Sequence, residues 1–123
     1  MIPFNKALVI IPTYKEIDNI EKMLSKITHD YPEISILIID DNSPDGTPEV
    51  VKKFQENNTR IHLIERSGKL GLGTAYIAGF KWAIDKNYEF IFEMDCDFSH
   101  SPDDIPALLQ EAQNHDLVIG SRY

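Results

Sequence analysis

Five short runs of nearly uninterrupted apolar residues, each followed at once by polar or charged ones, set the strongest limit on how this chain can fold. They are Ala7 to Ile11, Ile34 to Ile39, Arg60 to Ile64, Phe90 to Met94 and Leu117 to Ile119. Runs of that length without alternation mark strands covered on both faces, as in a parallel sheet. The stretches between them carry a helical period instead. Ile17, Ile20, Leu24 and Ile27 form one apolar stripe, so the first helix is expected to bury all four. Thr47, Pro48 and Glu49 read as an N-cap, an N1 proline and a first-turn acid opening a helix through Phe54. Ser101, Pro102, Asp103 and Asp104 repeat that signal for a helix burying Ile105, Leu108, Leu109 and Ala112. A further helix, from about Gly73 to Lys86, is expected to turn Tyr76, Phe80, Ala83 and Ile84 inward. Strand and helix in alternation predict an α/β fold with a mostly parallel sheet and helices on both faces.

A chain of 123 residues has room for one domain. The last strand is followed by no helix to cover it, so the sheet reads as truncated after Tyr123. The formal charge of −8 argues against nucleic acid as a partner, because phosphate contacts need clustered lysine and arginine. The lone Cys96 cannot form an intrachain disulfide, which fits a reducing cytoplasm. No signal-like N-terminus and no apolar run of about 20 residues is present.

Ligands of open α/β sheets sit beyond the carboxyl ends of the strands, so the residues just after each strand carry the chemistry. Asp95 and Asp97, one residue apart at a strand end, can aim two carboxylates at one Mg²⁺ or Mn²⁺ ion, or they can be solvated loop and cap residues. Asp40 and Asp41 open a segment rich in turn formers. One of them can hold a ribose hydroxyl or base edge, while Asp45 and Gly46 shape the turn. Tyr14 and Glu16 can pack and hydrogen-bond a nucleoside, or simply lead into a helix. Arg122, Arg66 and Lys69 are candidate diphosphate partners, His100 a candidate metal or substrate contact, and Cys96 a small buried filler. The glycines Gly68, Gly71 and Gly73 do not complete a dinucleotide fingerprint, since Tyr76 stands where its last glycine belongs.

In order along the chain come Pro12-Thr13-Tyr14-Lys15-Glu16 with Asn19-Ile20, then Ile39-Asp40-Asp41-Asn42-Ser43-Pro44-Asp45-Gly46-Thr47. Gly71-Leu72-Gly73-Thr74-Ala75-Tyr76, Gly79-Phe80, Asp95-Cys96-Asp97-Phe98-Ser99-His100-Ser101-Pro102 and Gly120-Ser121-Arg122-Tyr123 follow. This ordered set resembles the polyprenol-phosphate (dolichol-phosphate) mannosyltransferases of glycosyltransferase family 2. The resemblance implies that residues 1–123 form the N-terminal, donor-binding part of a Rossmann-like GT-A nucleotide-sugar-binding domain. It implies that Pro12, Tyr14, Glu16, Ile39 and Asp41 hold the nucleoside, with Asp95, Cys96 and Asp97 along the sugar diphosphate. Asp95 and Asp97 would carry the metal, Arg122 would meet phosphate, and these three would form the catalytic set. Some relatives place a further Gln ligand where this chain has Ser99, and Cys96 replaces the usual Ala.

The implied reaction moves mannose from GDP-mannose to a polyprenol monophosphate with inversion. Two other readings keep the same residues: UDP-glucose or another donor with a different acceptor, and a non-catalytic nucleotide-binding module. The expected setting is cytoplasmic, at a membrane face reached through the lipid acceptor or a further segment, with a homodimer as the assembly.

Overall fold

The computed structural model of the chain describes residues 4–67, 72–96, 103 and 105–107. A short 3-10 turn, Phe4–Lys6, leads into β1 (Ala7–Thr13), α1 (Ile17–Asp30), β2 (Ser35–Asp40), α2 (Thr47–Asn57), β3 (Ile61–Glu65), α3 (Leu72–Asp85) and β4 (Phe90–Glu93). The strands lie in the order β3-β2-β1-β4, and every pairing is parallel. The expected fifth strand, and Leu108, Leu109 and Ala112 of the helix expected after Ser101, fall outside the described residues; Ile105 of that helix is buried.

Alternation along the strands divides the core in two. Ala7, Val9 and Ile11 join Ile36 and Ile38 under Ile20, Met23, Leu24 and Ile27 of α1 and Val51 of α2. Leu8, Ile10, Leu37 and Ile39 face the opposite way, against Ala75 and Ala83 of α3. The helices thus cover both faces. The chain builds outward from β1 to β3 and then crosses back to lay β4 on the far side of β1. The place where this direction reverses, between the carboxyl ends of β1 and β4, is where such sheets open a ligand crevice.

Helix α3 meets the sheet through small buried residues, Ala75, Gly79 and Ala83, with Tyr76 and Phe80 packed beside them. A Cβ at Gly79 would lie 2.8 Å from both Cδ1 and Cγ2 of Ile10 and 3.1 Å from Cδ1 of Ile39. Gly79→Ala is therefore expected to destabilise the chain. About 2 kcal/mol of overpacking outweighs about 1 kcal/mol gained from alanine's helix propensity. Urea unfolding measures the difference, and a variant as stable as the parent would show that α3 can lift off the sheet freely.

Three sequence expectations need correction. Ile17 is 37% exposed, at the first position of α1 with its side chain beside Gly46; Met23 completes the buried stripe. Ile84 is 68% exposed, since the row of small residues leaves it on the outer flank of α3. Thr47 is the first residue of α2 and not its cap. The cap position belongs to Gly46, whose φ of 95° suits glycine.

Candidate functional site

Four loaded segments meet at the carboxyl edge of the sheet: Thr13 to Glu16 after β1, Asp40 to Thr47 after β2, Arg66 after β3, and Asp95 with Cys96 after β4. The two neighbouring acids Asp40 and Asp41 do different work.

Asp40 is fully buried. It accepts hydrogen bonds from the Thr13 hydroxyl at 2.7 Å, the Ser43 hydroxyl at 2.7 Å and the Ser43 N–H at 2.8 Å. The Ser43 oxygen in turn accepts from the Lys15 N–H at 2.9 Å, and the Asp41 N–H donates to the Thr13 carbonyl at 3.1 Å. A buried carboxylate met by several donors is stable where an unmet one is not. Asp40 therefore ties the loops after β1 and β2 together, with Lys15 and Asn42 in the left-handed region at φ 57° and 59°.

Asp41 points along the edge toward β3, where Arg66 grips it in a fork: Nε to Oδ1 at 2.6 Å and Nη2 to Oδ2 at 2.9 Å. Both side chains are only 10% exposed. The remaining arm of the guanidinium, Nη1, donates to the Thr74 hydroxyl at the start of α3, at 2.9 Å. Sequence reasoning placed Arg66 among the candidate diphosphate partners. In the structure it is the planar, bidentate partner of Asp41, a geometry that lysine could not reproduce.

Asp45 accepts from the Thr47 hydroxyl at 2.6 Å, the Thr47 N–H at 3.1 Å and the Ile17 N–H at 3.2 Å. Burial pushes its carboxyl up, but these donors outweigh that and hold it below the usual range. One side chain thus serves the entries of α1 and α2, the turn-shaping role expected for it. Glu16 caps α1 by position. Its N–H donates to the Thr47 hydroxyl at 3.1 Å, and its side chain accepts from Asn19 at 3.2 Å.

Pro12 and Tyr14 are half-buried at the end of β1. Ile39 is different: its side chain lies fully inside the core beneath α3 and supports the rim from below. At the switch point Cys96 is buried, as a small filler should be, while Asp95 is half-buried and accepts a hydrogen bond from the Tyr76 hydroxyl of α3 at 3.2 Å. Asp97, Ser99, His100, Lys69, Gly68, Gly71 and Arg122 lie outside the described residues.

Three members of this arrangement escaped the sequence reading. Thr13 was visible only as part of a motif. Tyr76 was assigned to the core by helical period. Glu93 was hidden inside an apolar run, although an acid in Phe-Ile-Phe-Glu-Met is itself a signal. Glu93 is 4% exposed, and burial, followed by the negative charge of Asp95, pushes its carboxyl up to about 7.

The comparisons agree with this architecture. The family model described as "Glycosyl transferase family 2" matches residues 8–123. An undecaprenyl-phosphate mannosyltransferase of Micrococcus luteus is 43% identical over 95% of this chain and 48% of its own length. A polyprenol monophosphomannose synthase of Mycolicibacterium smegmatis is 42% identical over 98% of this chain and 46% of its own. The chain thus spans about half the length of the curated relatives it matches. Among solved structures, the mannosyltransferase PcManGT of Pyrobaculum calidifontis, in complex with GDP-Man and Mn²⁺, superposes with a TM-score of 0.57 at 29% identity. That match covers 63% of this chain and 24% of PcManGT. The S. aureus protein TarS shares the fold with a TM-score of 0.67 at 24% identity, over 87% of this chain and 20% of its own. With a parallel sheet reversing at β1 and β4, acids gathered at its carboxyl edge, and a family match over most of its length, the chain belongs to glycosyl transferase family 2.

Proposed function

We propose that this chain supplies the donor-binding part of a glycosyltransferase that moves mannose from GDP-mannose to a polyprenol monophosphate, with inversion at the anomeric carbon. The observation that carries the proposal is the rim itself. Asp41 and Asp95 flank the β1 carboxyl end, from β2 and β4 respectively. The relatives named for mannosyl transfer to polyprenyl phosphates support the substrate pair.

In this reading Pro12, Tyr14, Glu16 and Asp41 hold the nucleoside, with Ile39 beneath them, and Cys96 lies along the diphosphate. Arg122 meets phosphate. Asp95 and Asp97 hold a divalent cation. The donor chemistry fits Mg²⁺ or Mn²⁺, which take hard carboxylate oxygens and keep positions open for phosphate. Two carboxylates leave positions for waters and phosphate oxygens, as such cations require. When bound, the cation neutralises charge developing on the departing diphosphate.

The chain's own residues position the donor and screen it from water. The acceptor is a phosphate monoester, anionic at neutral pH, so its attack needs no general base; catalysis rests on alignment and electrostatics. No helix among the described residues is long and apolar enough to cross a membrane. We place the chain at the cytoplasmic membrane face, reached through the lipid acceptor, and as a dimer.

Donor binding is the test. In calorimetry with GDP, UDP and GDP-mannose, Mn²⁺ is expected to tighten GDP binding, and Asp97→Ala to weaken it at least about 10-fold. Equal affinity in chelator, or undiminished affinity in Asp97→Ala, removes the metal assignment. A preference for UDP moves the donor away from GDP-mannose.

A further inference from the structure

The segment Gly73-Thr74-Ala75-Tyr76 supplies none of the proposed donor or cation contacts, yet Thr74 and Tyr76 reach both ends of the site. Thr74 accepts from Nη1 of Arg66, whose Nε and Nη2 grip Asp41. Two residues on, Tyr76 donates its hydroxyl to Oδ1 of Asp95. One helical turn of α3 therefore touches the side chain behind the nucleoside acid and the side chain of the metal acid.

That turn is held in place from below. Ala75 and Gly79 set α3 directly on Ile10 and Ile39, so tightly that no methyl group fits at Gly79. Ile10 and Ile39 belong to β1 and β2, the same strands that deliver Tyr14 and Asp41 to the rim. A hydroxyl 3.2 Å from a carboxylate, on a helix packed closely against the sheet, restricts that carboxylate's rotation, and outer partners of this kind orient metal-ligating groups.

We infer that the first turns of α3 are the shared support of the donor site. Tyr76 is a positioning residue for Asp95, Thr74 is a positioning residue for Asp41 through Arg66, and the helix couples nucleoside binding to cation binding. The inference rests on the reading of Asp95 as a metal ligand and of Asp41 as a nucleoside contact. It adds residues that touch neither the cation nor the nucleoside.

The experiment uses the whole chain and three proteins: wild type, Tyr76→Phe and Thr74→Val. Each replacement removes a hydroxyl and keeps the bulk of the side chain. Mn²⁺ affinity is read by electron paramagnetic resonance in the presence and absence of GDP, GDP affinity by calorimetry in chelator and in Mn²⁺, and stability by melting in chelator.

Tyr76→Phe is expected to weaken Mn²⁺ binding about 10-fold, and to shrink the factor by which Mn²⁺ tightens GDP. Its melting temperature and its GDP affinity in chelator should stay at wild-type values. Thr74→Val is expected to do the reverse: weaker GDP binding in chelator, with Mn²⁺ affinity in the absence of GDP unchanged. This split is one that a general loosening of α3 cannot produce.

Wild-type Mn²⁺ affinity in Tyr76→Phe overturns the inference while leaving the metal site standing. Equal losses of all three quantities in either variant overturn it too, by reducing the residue to a packing role. A wild-type chain whose GDP binding ignores Mn²⁺ defeats the metal reading, and this inference falls with it.

Discussion

Replacing Asp41 with alanine is expected to abolish detectable nucleoside binding and to remove about 3 kcal/mol of stability. The two losses have separate causes. Binding goes because the carboxylate proposed to contact the nucleoside is deleted. Stability goes because Arg66, only 10% exposed, is left holding its charge in a site built around a fork that no longer exists. Breaking one side of a buried ion pair costs more than the pair contributes, since the surviving charge stays buried and loses its counter-charge. Asp41→Asn separates the terms. It keeps an oxygen for one arm of the guanidinium but loses the charge, so it should recover part of the stability and little of the binding. Denaturant unfolding and calorimetry on the three proteins give both quantities. An alanine variant as stable as the parent would mean that Arg66 swings into solvent, and that the fork is incidental.

This result differs from what the residue pattern alone suggests, and the reason is general. Read from sequence, Asp41 is one of two adjacent acids in a turn, and nothing in that segment names a partner. The partner comes from the end of β3, 25 residues on. Only the parallel register, with Asp40 opposite Glu65, brings Arg66 alongside. Strand existence was legible because apolar runs closed by turn residues report local physics, and the observed strands start and stop within two residues of the expected ones. The position of the rim was legible for the same reason, as the set of residues immediately following strands. Who holds whom along the rim was not. Asp40 and Asp41 are chemically identical neighbours, yet the pleat sends one inward to Thr13 and Ser43 and the other outward to Arg66. Helical period placed Tyr76 correctly against the core but misplaced Ile84, because it assumes that every large residue of the stripe faces inward. In α3 the fully buried positions are the small residues Ala75, Gly79 and Ala83, while Tyr76 and Phe80 pack from the side and Ile84 is left outside.

Glu93 carries the second large effect, and its sign runs against the common behaviour of protein carboxylates. Its ordinary value of 4.5 rises to about 7 in the folded chain, first because it is buried and then because Asp95 is negative. Between those values the folded protein keeps the carboxyl protonated while the unfolded chain releases the proton. A raised carboxyl therefore contributes stability in full below about pH 4.5, and loses it as pH climbs through about 7. The total swing is on the order of 3 kcal/mol. Glu93→Gln places an uncharged side chain of nearly the same shape on β4, and so should remove this pH dependence. Measured in chelator, the variant's advantage over the parent is expected to widen by about 2 kcal/mol between about pH 5.5 and about pH 8. Asp95→Asn supplies the control for the second cause. Removing that negative charge should narrow the gap without closing it, because the burial of Glu93 remains. Parallel stability profiles for the parent and Glu93→Gln would show that Glu93 is ionised in the folded chain at neutral pH. The end of β4 would then carry a second negative charge, beside the carboxylate on which the proposed cation site depends.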